Sequence, residues 1–133
     1  MKMFVIMSHV LTEDQVKQIY KLFSIKTIVY LPENLKKIWM EIPAEGKWKK
    51  EWIKDITFWL SDQLEIGDKV IVQGEPGACF FLVAWLQQKG IEVYYATTER
   101  NIVEQKNEDG SVILKRIFKH VTFRQYPCIK EIS

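Results

Sequence analysis

Three short stretches of the chain carry the small polar and charged side chains that could take part in chemistry. They are Ser8-His9, Gln73–Gly77 and Thr97–Arg100. Hydroxyl, amide, imidazole and guanidinium groups predominate there, and the carboxylates are limited to Glu75 and Glu99. Such groups can hold and orient an anion, whereas two carboxylates so far apart in sequence are weak evidence for a metal ion. These stretches therefore predict an anion-binding pocket with no metal and no cofactor.

The second of these stretches lies in a strand–turn–helix pattern. Val70–Val72 is apolar and β-branched, Gly74–Gly77 turns the chain, and Ala78–Leu86 is almost wholly apolar. Free backbone N–H groups and the dipole at such a helix start favour a bound anion, although many α/β proteins have this turn and no ligand at it. The turn is not a Walker loop, and the sequence contains neither a Gly-x-Gly-x-x-Gly fingerprint nor a Gly-x-Ser-x-Gly elbow.

A ribonucleotide held in a pocket of this kind can be cut without a metal ion. Its ribose 2′-hydroxyl attacks the adjacent 3′-phosphate when the two groups are held in line. Arginines such as Arg100 or Arg124 can stabilise the charge on the phosphoryl oxygens, and His9 is a candidate general base. Each has a simpler alternative, because His9 can cap local backbone and either arginine can pair with a surface carboxylate. We expect His120, in an alternating stretch, to be structural.

Apolar runs predict the strands that position these groups. The runs of the central sheet are Met3–Met7, Lys26–Leu31, Val70–Val72 and Ile91–Ala96. Beyond them, Asp109-Gly110 between two strand-like runs predicts a β-hairpin. The runs of this C-terminal part are Asn101–Gln105, Ser111–Phe118 and a last extended piece, His120–Tyr126.

Helical spacing of apolar residues predicts four helices between the strands. The first runs from about Glu13 to Phe23, with Thr12 and Gln15 as a capping box. The second stops at Pro43, and the fourth is the apolar run that follows Gly77. The third begins past Gly46 and presents one stripe of mostly aromatic and aliphatic side chains. Such a stripe is more typical of a core or a subunit interface than of a binding site. The stripe consists of Trp48, Trp52, Ile56, Trp59, Leu60 and Gln63.

This alternation predicts an α/β fold over residues 1–133 as a single domain, with a doubly wound, mainly parallel sheet and a C-terminal β-hairpin. The expected strand order is 2-1-3-4, which makes Met3–Met7 and Val70–Val72 neighbours. Open α/β sheets bind ligands at such a switch in topology, beyond the carboxyl ends of the strands. All three polar stretches follow strand ends, so we expect the pocket there.

Composition and charge bear on the partners and the compartment. A net charge of +2 over 133 residues is too small for general binding of duplex DNA. No apolar segment reaches the length of a transmembrane helix, so no membrane partner is expected. Cys79 and Cys128 lack metal-ligand spacing and indicate reduced thiols, from which we expect a cytoplasmic protein.

Several stretches, taken together in their order and spacing, carry a further pattern. They are Ser8–Thr12, Tyr30–Glu33, Trp39–Pro43, Val72–Ala78, Tyr95–Arg100 and Phe118–Tyr126. The set resembles the small stand-alone CRISPR-associated proteins of the Csx group, found beside type III systems. That group is related to the CARF (CRISPR-associated Rossmann-like) domains, which dimerise and bind cyclic oligoadenylate messengers. Some of its members are ring nucleases that cut the messenger.

The resemblance implies a CARF-like, Rossmann-like homodimer that binds a two-fold symmetric ligand across its axis. It further implies metal-independent cleavage of a cyclic oligoadenylate, cyclic tetra-adenylate in particular, to products with 2′,3′-cyclic phosphate ends. His9, Arg100 and Arg124 are then the catalytic set, with the arginines as phosphate ligands. The ligand-binding wall would comprise Ser8, Gln73, Gly74, Glu75, Gly77, Ala78, Thr97 and Thr98.

Two alternatives remain open at this point. A non-catalytic module that sequesters the same messenger would need the same pocket without in-line geometry. An unrelated α/β nucleotide-binding or scaffold protein would use the tryptophan helix as its main interface.

Overall fold

A computed structural model describes residues 1–132 and shows an α/β protein with five strands and four α-helices. The strands are β1 (Lys2–Ile6), β2 (Thr27–Tyr30), β3 (Lys69–Val72), β4 (Glu92–Lys106) and β5 (Val112–Gln125). The α-helices are α1 (Glu13–Phe23), α2 (Glu33–Met40), α3 (Lys54–Gln63) and α4 (Pro76–Gln88). Short 3₁₀ helices cover Lys50–Ile53 and Ile129–Glu131. Among residues 1–132, every helix falls short of a membrane span in length or in apolar character.

The five strands form one mixed sheet in the order β2-β1-β3-β4-β5. Phe4 of β1 pairs with Val29 of β2 on one side and with Val70 of β3 on the other, both in parallel. β3 and β4 are also parallel, whereas β4 and β5 are antiparallel. The predicted order 2-1-3-4 is confirmed, and the switch in topology lies between β1 and β3.

Both faces of the sheet are covered, which explains why β1 and β3 are continuously apolar after the lysine that begins each strand. Phe4 and Ile6 belong to a core shared with α2, α3 and α4. Met3 and Val5 point the other way, into a smaller core with Ile19 of α1. Each fully buried side chain of this size contributes roughly 1.5–3 kcal/mol to folding.

The third helix is shorter than its tryptophan stripe predicted. A 3₁₀ turn comes first and α3 begins only at Lys54. Trp48 lies before both helices in the chain, and its ring packs on that of Phe81 in α4, with the centroids 4.9 Å apart. Trp59 packs edge-on against Phe4 at 5.7 Å, and Ile56 and Leu60 are fully buried, so the stripe lines the core up to Leu60. Tertiary packing here overrides the helical spacing of the sequence.

The C-terminal third departs most from the prediction. Four short extended pieces were expected there, but the structure has two long strands, β4 and β5. The stretch Thr97–Arg100, expected to follow a strand end, lies inside β4. A β-bulge near Val121 shifts the register between Thr97 and Thr98. Beyond it, residues 99–119 form a two-stranded ribbon that projects from the sheet, with every side chain exposed except that of Asn107. We call this ribbon the arm.

Candidate functional site

Gln73, the first residue after β3, is fixed on three sides at the switch in topology. Its N–H donates to the Ile6 carbonyl at 3.0 Å, and its own carbonyl accepts from the Trp39 indole Nε1 at 2.8 Å. Its side-chain Oε1 accepts from the Ala96 N–H at 3.1 Å. The side-chain orientation is therefore set, and the NH₂ group has no acceptor within residues 1–132. Gln73 thus offers a positioned donor at the edge where α/β sheets bind ligands.

A row of aromatic side chains leads from the end of β3 to Arg124. The Tyr126 hydroxyl donates to the Val72 carbonyl at 2.8 Å, and its ring packs on that of Tyr95 at 4.7 Å. Arg124, directly across from Tyr95 on β5, donates from Nη1 to the Tyr95 hydroxyl at 3.3 Å. Burial raises the pKa of Tyr126 to about 12, so it remains a neutral donor.

Neither tyrosine of this row was among the predicted site residues. A signal for Tyr126 exists in the sequence, because it lies two positions after Arg124 and side chains two apart share a strand face.

The helix start at α4 is capped from within the chain. The Glu75 carboxylate accepts from the N–H of Gly77 at 2.8 Å and from that of Ala78 at 3.1 Å. The prediction of free N–H groups is wrong for these two residues. A phosphate at this position would have to displace a carboxylate that already has the favourable place at the helix dipole. Ala78 is also fully buried, at 0% exposure, so its side chain cannot reach a ligand.

The two glycines of the turn make room for tryptophan side chains. A Cβ on Gly74 would lie 2.6 Å from Nε1 of Trp39, and one on Gly77 would lie 2.8 Å from Cδ1 of Trp48. Real Cβ atoms essentially never approach so closely. Indole packing accounts for both glycines, so neither needs a bound ligand to explain it.

Ser8 and His9 follow β1 and are exposed. The Ser8 hydroxyl lies 3.5 Å from His9 Nδ1, at the limit of a hydrogen bond. His9 also lines a cavity of about 190 Å³ between the ends of β1 and β2. The polar side chains that share this cavity with His9 are Tyr30, Glu33 and Lys36. His9 can therefore meet a ligand that lies across the carboxyl edge of β1.

Thr97 is engaged by the backbone beside the bulge. Its hydroxyl accepts from the Thr122 N–H at 3.1 Å and donates to the Thr122 carbonyl at 3.2 Å. Thr98 is exposed at the base of the arm. The hydroxyl of Thr97 thus stabilises the hairpin where the register changes. The side chain of Thr98 is the one of the two that is accessible to a ligand.

The two candidate phosphate ligands lie on opposite faces of the hairpin. The Arg100 guanidinium lies over the Phe118 ring, 5.4 Å from its centroid. Tyr95, the partner of Arg124, is an odd number of residues before Arg100 on the same strand, and strand side chains alternate between faces. A single chain therefore does not bring Arg100 and Arg124 together on one phosphate.

His120 joins α1 to β5. Its Nε2 lies 2.6 Å from Oε1 of Gln18, and its Nδ1 lies 3.3 Å from Nε2 of Gln15. Gln15 Oε1 accepts from the Thr12 N–H and Gln18 Nε2 donates to the Val121 carbonyl, which fixes both amides. The imidazole is thus neutral, with its proton on Nε2. Burial lowers its pKa, in keeping with a structural residue.

Within residues 1–132, no three His, Cys, Asp or Glu side chains come together as ligands of a metal ion would. Cys79 lies at the start of α4, where burial raises the pKa of its thiol to about 11. A thiol in this state is a weak nucleophile.

Comparison with known proteins links the chain to one family. The family described as the uncharacterized protein MJ1673 family matches residues 1–124. Uncharacterized protein MJ1673 of Methanocaldococcus jannaschii is 34% identical over 125 residues, covering 94% of this chain and 96% of that relative. No solved structure matches.

Proposed function

This chain belongs to the MJ1673 family, and we propose that it is a CARF-like, Rossmann-like ring nuclease of type III CRISPR defence in the cytoplasm. Its substrate is a cyclic oligoadenylate, cyclic tetra-adenylate in particular, and its cleavage ends the antiviral signal. Support comes from the resemblance of its motifs to the Csx group and from a strand order whose switch lies beside Gln73. The observation that carries the proposal is the Gln73 side chain, with its oxygen held by Ala96 and its NH₂ left for a ligand.

In the proposed reaction a ribose 2′-oxygen forms a bond to the neighbouring phosphorus as the bond from phosphorus to the 5′-oxygen breaks. His9 takes the proton of the 2′-hydroxyl, and the departing 5′-oxygen takes a proton from water. Gln73 and Arg124 donate hydrogen bonds to the phosphoryl oxygens. Because Glu75 occupies the amides of the turn, these side chains and not the turn supply the phosphate contacts.

The proposed active form is a homodimer with the ring across its two-fold axis, each subunit supplying the same residues. The cavity of about 190 Å³ beside His9 is smaller than the roughly 300–1,000 Å³ of a pocket for a drug-sized ligand. It can therefore hold only a part of the ring, while the rest of the ligand lies along the carboxyl edge of the sheet.

The decisive experiment incubates the purified protein with cyclic tetra-adenylate in EDTA and reads the products by chromatography and mass spectrometry. We expect linear products with 2′,3′-cyclic phosphate ends. His9→Ala should lower the cleavage rate by about 10²-fold or more while changing ligand affinity little, because a general base acts on the chemical step.

Arg124→Ala should also lower the cleavage rate far more than the affinity, and Arg100→Ala tests the arginine on the other face in the same way. Lys54→Ala, which removes a cation from an exposed position on α3, is the matched control. Unchanged cleavage in the His9 and Arg124 variants would contradict the assigned roles.

A non-catalytic module that sequesters the same messenger is the second candidate. Two observations favour it: Glu75 fills the helix start, and Arg100 and Arg124 lie on opposite faces of the hairpin. Both reduce the number of groups that converge on one scissile phosphate. In the same experiment, a ring that stays intact and bound to the protein supports sequestration. A ring that is neither cut nor bound contradicts both functions.

A further inference from the structure

The cavity beside His9 has an apolar floor and an aromatic wall. Val5, Met7 and Leu31 line it and are 1%, 4% and 6% exposed, and these buried side chains form the floor. Tyr30, the parallel partner of Val5 on β2, adds an aromatic ring. The transfer of a flat apolar group from water into such surroundings is favourable. The cavity is therefore suited to a ligand group with apolar faces.

Two charged side chains of the cavity have no partner in the described part of the chain. Glu33 and Lys36 are three residues apart on α2, a spacing that places them on the same side of a helix, and both line the cavity. The ion pairs within residues 1–132 involve other residues, and neither side chain has a hydrogen bond there. The Tyr30 hydroxyl is also without a partner among these residues. The cavity thus offers a carboxylate acceptor and an ammonium donor beside an aromatic ring.

These groups fit a nucleobase better than they fit a phosphate or a sugar. The Glu33 carboxylate repels a phosphate, and a ribose has no large apolar face to lay on the floor. A base uses all of the groups, because its faces stack on aromatic rings and its edges carry hydrogen-bond donors and acceptors. Adenine matches the charged pair, since its N6 amino group is a donor that lies beside the acceptor N7. Guanine in the same position would turn its O6 acceptor towards the carboxylate.

We propose that this cavity is an adenine subsite, in which the base lies against Tyr30, donates from its N6 amino group to Glu33 and accepts at N7 from Lys36. The inference rests on the proposed function and names the part of the ring that each subunit encloses. His9 lines the same cavity, so a base held there brings its own ribose close to the proposed general base. The subsite thus selects the substrate and orients its 2′-hydroxyl.

A ring without the amino group tests the contact with Glu33. Cyclic tetra-adenylate is compared with the cyclic tetranucleotide of purine riboside, which lacks only that group, on the wild type and on Glu33→Ala. The measurement is the ratio of the two kcat/KM values if the rings are cut, or of the two Kd values if they are only bound. We expect the wild type to prefer the adenylate ring at least about 10-fold, because the analogue leaves the carboxylate unpaired. Glu33→Ala should not distinguish the two rings.

Glu13→Ala is the matched control, because it removes an exposed carboxylate from the first turn of α1 as Glu33→Ala does from that of α2. It should keep the preference of the wild type. A wild type that does not distinguish the rings, or a Glu33→Ala variant that keeps the preference, overturns the subsite and leaves the cleavage reaction standing. Rings that are bound with the preference but not cut support the subsite and contradict the nuclease. If neither ring is cut or bound, both proposals fail.

Further variants test the contacts of Tyr30 and Lys36. Tyr30→Phe keeps a ring for stacking and should retain most of the affinity, whereas Tyr30→Ala should bind the adenylate ring at least about 10-fold more weakly. Lys36→Met keeps the aliphatic chain without the donor and should weaken the binding of both rings, since both carry N7. Lys37→Met, at the next position of α2 and outside the cavity, should bind like the wild type. Equal affinities of the two tyrosine variants, or of the two lysine variants, would overturn these contacts.

Discussion

His120 shows how two glutamines can determine the protonation state of a histidine. The Gln15 amide turns its NH₂ towards Nδ1 of His120 because its oxygen is used by the Thr12 N–H. A second proton on the ring would then face a donor instead of an acceptor. The groups that line the space beside the ring are Asp14, Lys17, Gln18, Lys21 and Val121, so one carboxylate and two cations accompany it.

From this arrangement we predict a loss of stability in mild acid. Burial lowers the pKa of folded His120 below its ordinary value of 6.5, so the unfolded chain binds the proton first as pH falls. The free energy of unfolding should therefore fall from about pH 6.5 downwards and level off below the folded-state pKa. Urea unfolding at about pH 7.5 and about pH 5 measures the change.

The variant His120→Gln should lose less stability between these two pH values than the wild type. His9→Gln removes an exposed histidine and should behave like the wild type. If His120→Gln shows the full wild-type loss, another group controls the acid response.

Gly74 offers a second prediction at the level of one residue. Gly74→Ala should lower the free energy of unfolding by about 1–3 kcal/mol, because the new methyl group meets the Trp39 indole at 2.6 Å. In a Trp39→Phe background the same change should cost clearly less, since the smaller ring leaves space. Chemical unfolding of the four proteins gives the coupling energy. Equal costs in both backgrounds would show that the indole is not the obstacle.

At the level of elements, the sequence predicted the N-terminal cap of α1 but not that of α4. The capping box of Thr12 and Gln15 was predicted and is present in α1, because all its atoms come from four consecutive residues. The Glu75 cap of α4 was not predicted, since glutamate is an unusual N-cap and the turn resembled a phosphate loop. Trp39, which closes over that turn, comes from a distant element that local sequence cannot indicate.

The Glu75 cap leads to a prediction about anions. Glu75→Ala should destabilise the protein by about 0.5–2 kcal/mol through loss of two hydrogen bonds at the helix start. It should also free the amides of Gly77 and Ala78, so that added sulfate raises the melting temperature of the variant more than that of the wild type. Equal sulfate responses would show that the tryptophans close the turn to anions even without the carboxylate.

For the whole molecule, the sequence was sufficient to predict the order of the first four strands. Apart from the lysine at its start, each of β1 and β3 is apolar and buried, so both strands were expected to be central. The continuity of the arm could not be predicted, because the polar stretch Thr97-Thr98-Glu99-Arg100 interrupts the apolar pattern. Both faces of the ribbon beyond it are exposed, so no core demands an alternation of apolar and polar residues there.

For the whole molecule, we predict that the protein folds without its arm. Residues 99–119 can be replaced by Asn-Gly, because Thr98 and His120 are cross-strand partners that a two-residue turn can join. The shortened protein should fold with a melting temperature within about 5 °C of the wild type, since the arm buries almost no side chain. Circular dichroism and tryptophan fluorescence follow the transition. A protein that no longer folds would show that the arm stabilises the sheet.

The central place of β1 has a consequence for synthesis on the ribosome. Phe4 finds its first partner, Val29, after 25 residues, but Val70 only after 66. At about 5–20 residues per second, the nascent chain carries an apolar strand with one open edge for several seconds before β3 emerges. During that interval β1 is exposed to the chaperones that shield hydrophobic segments and to the aggregation that they prevent.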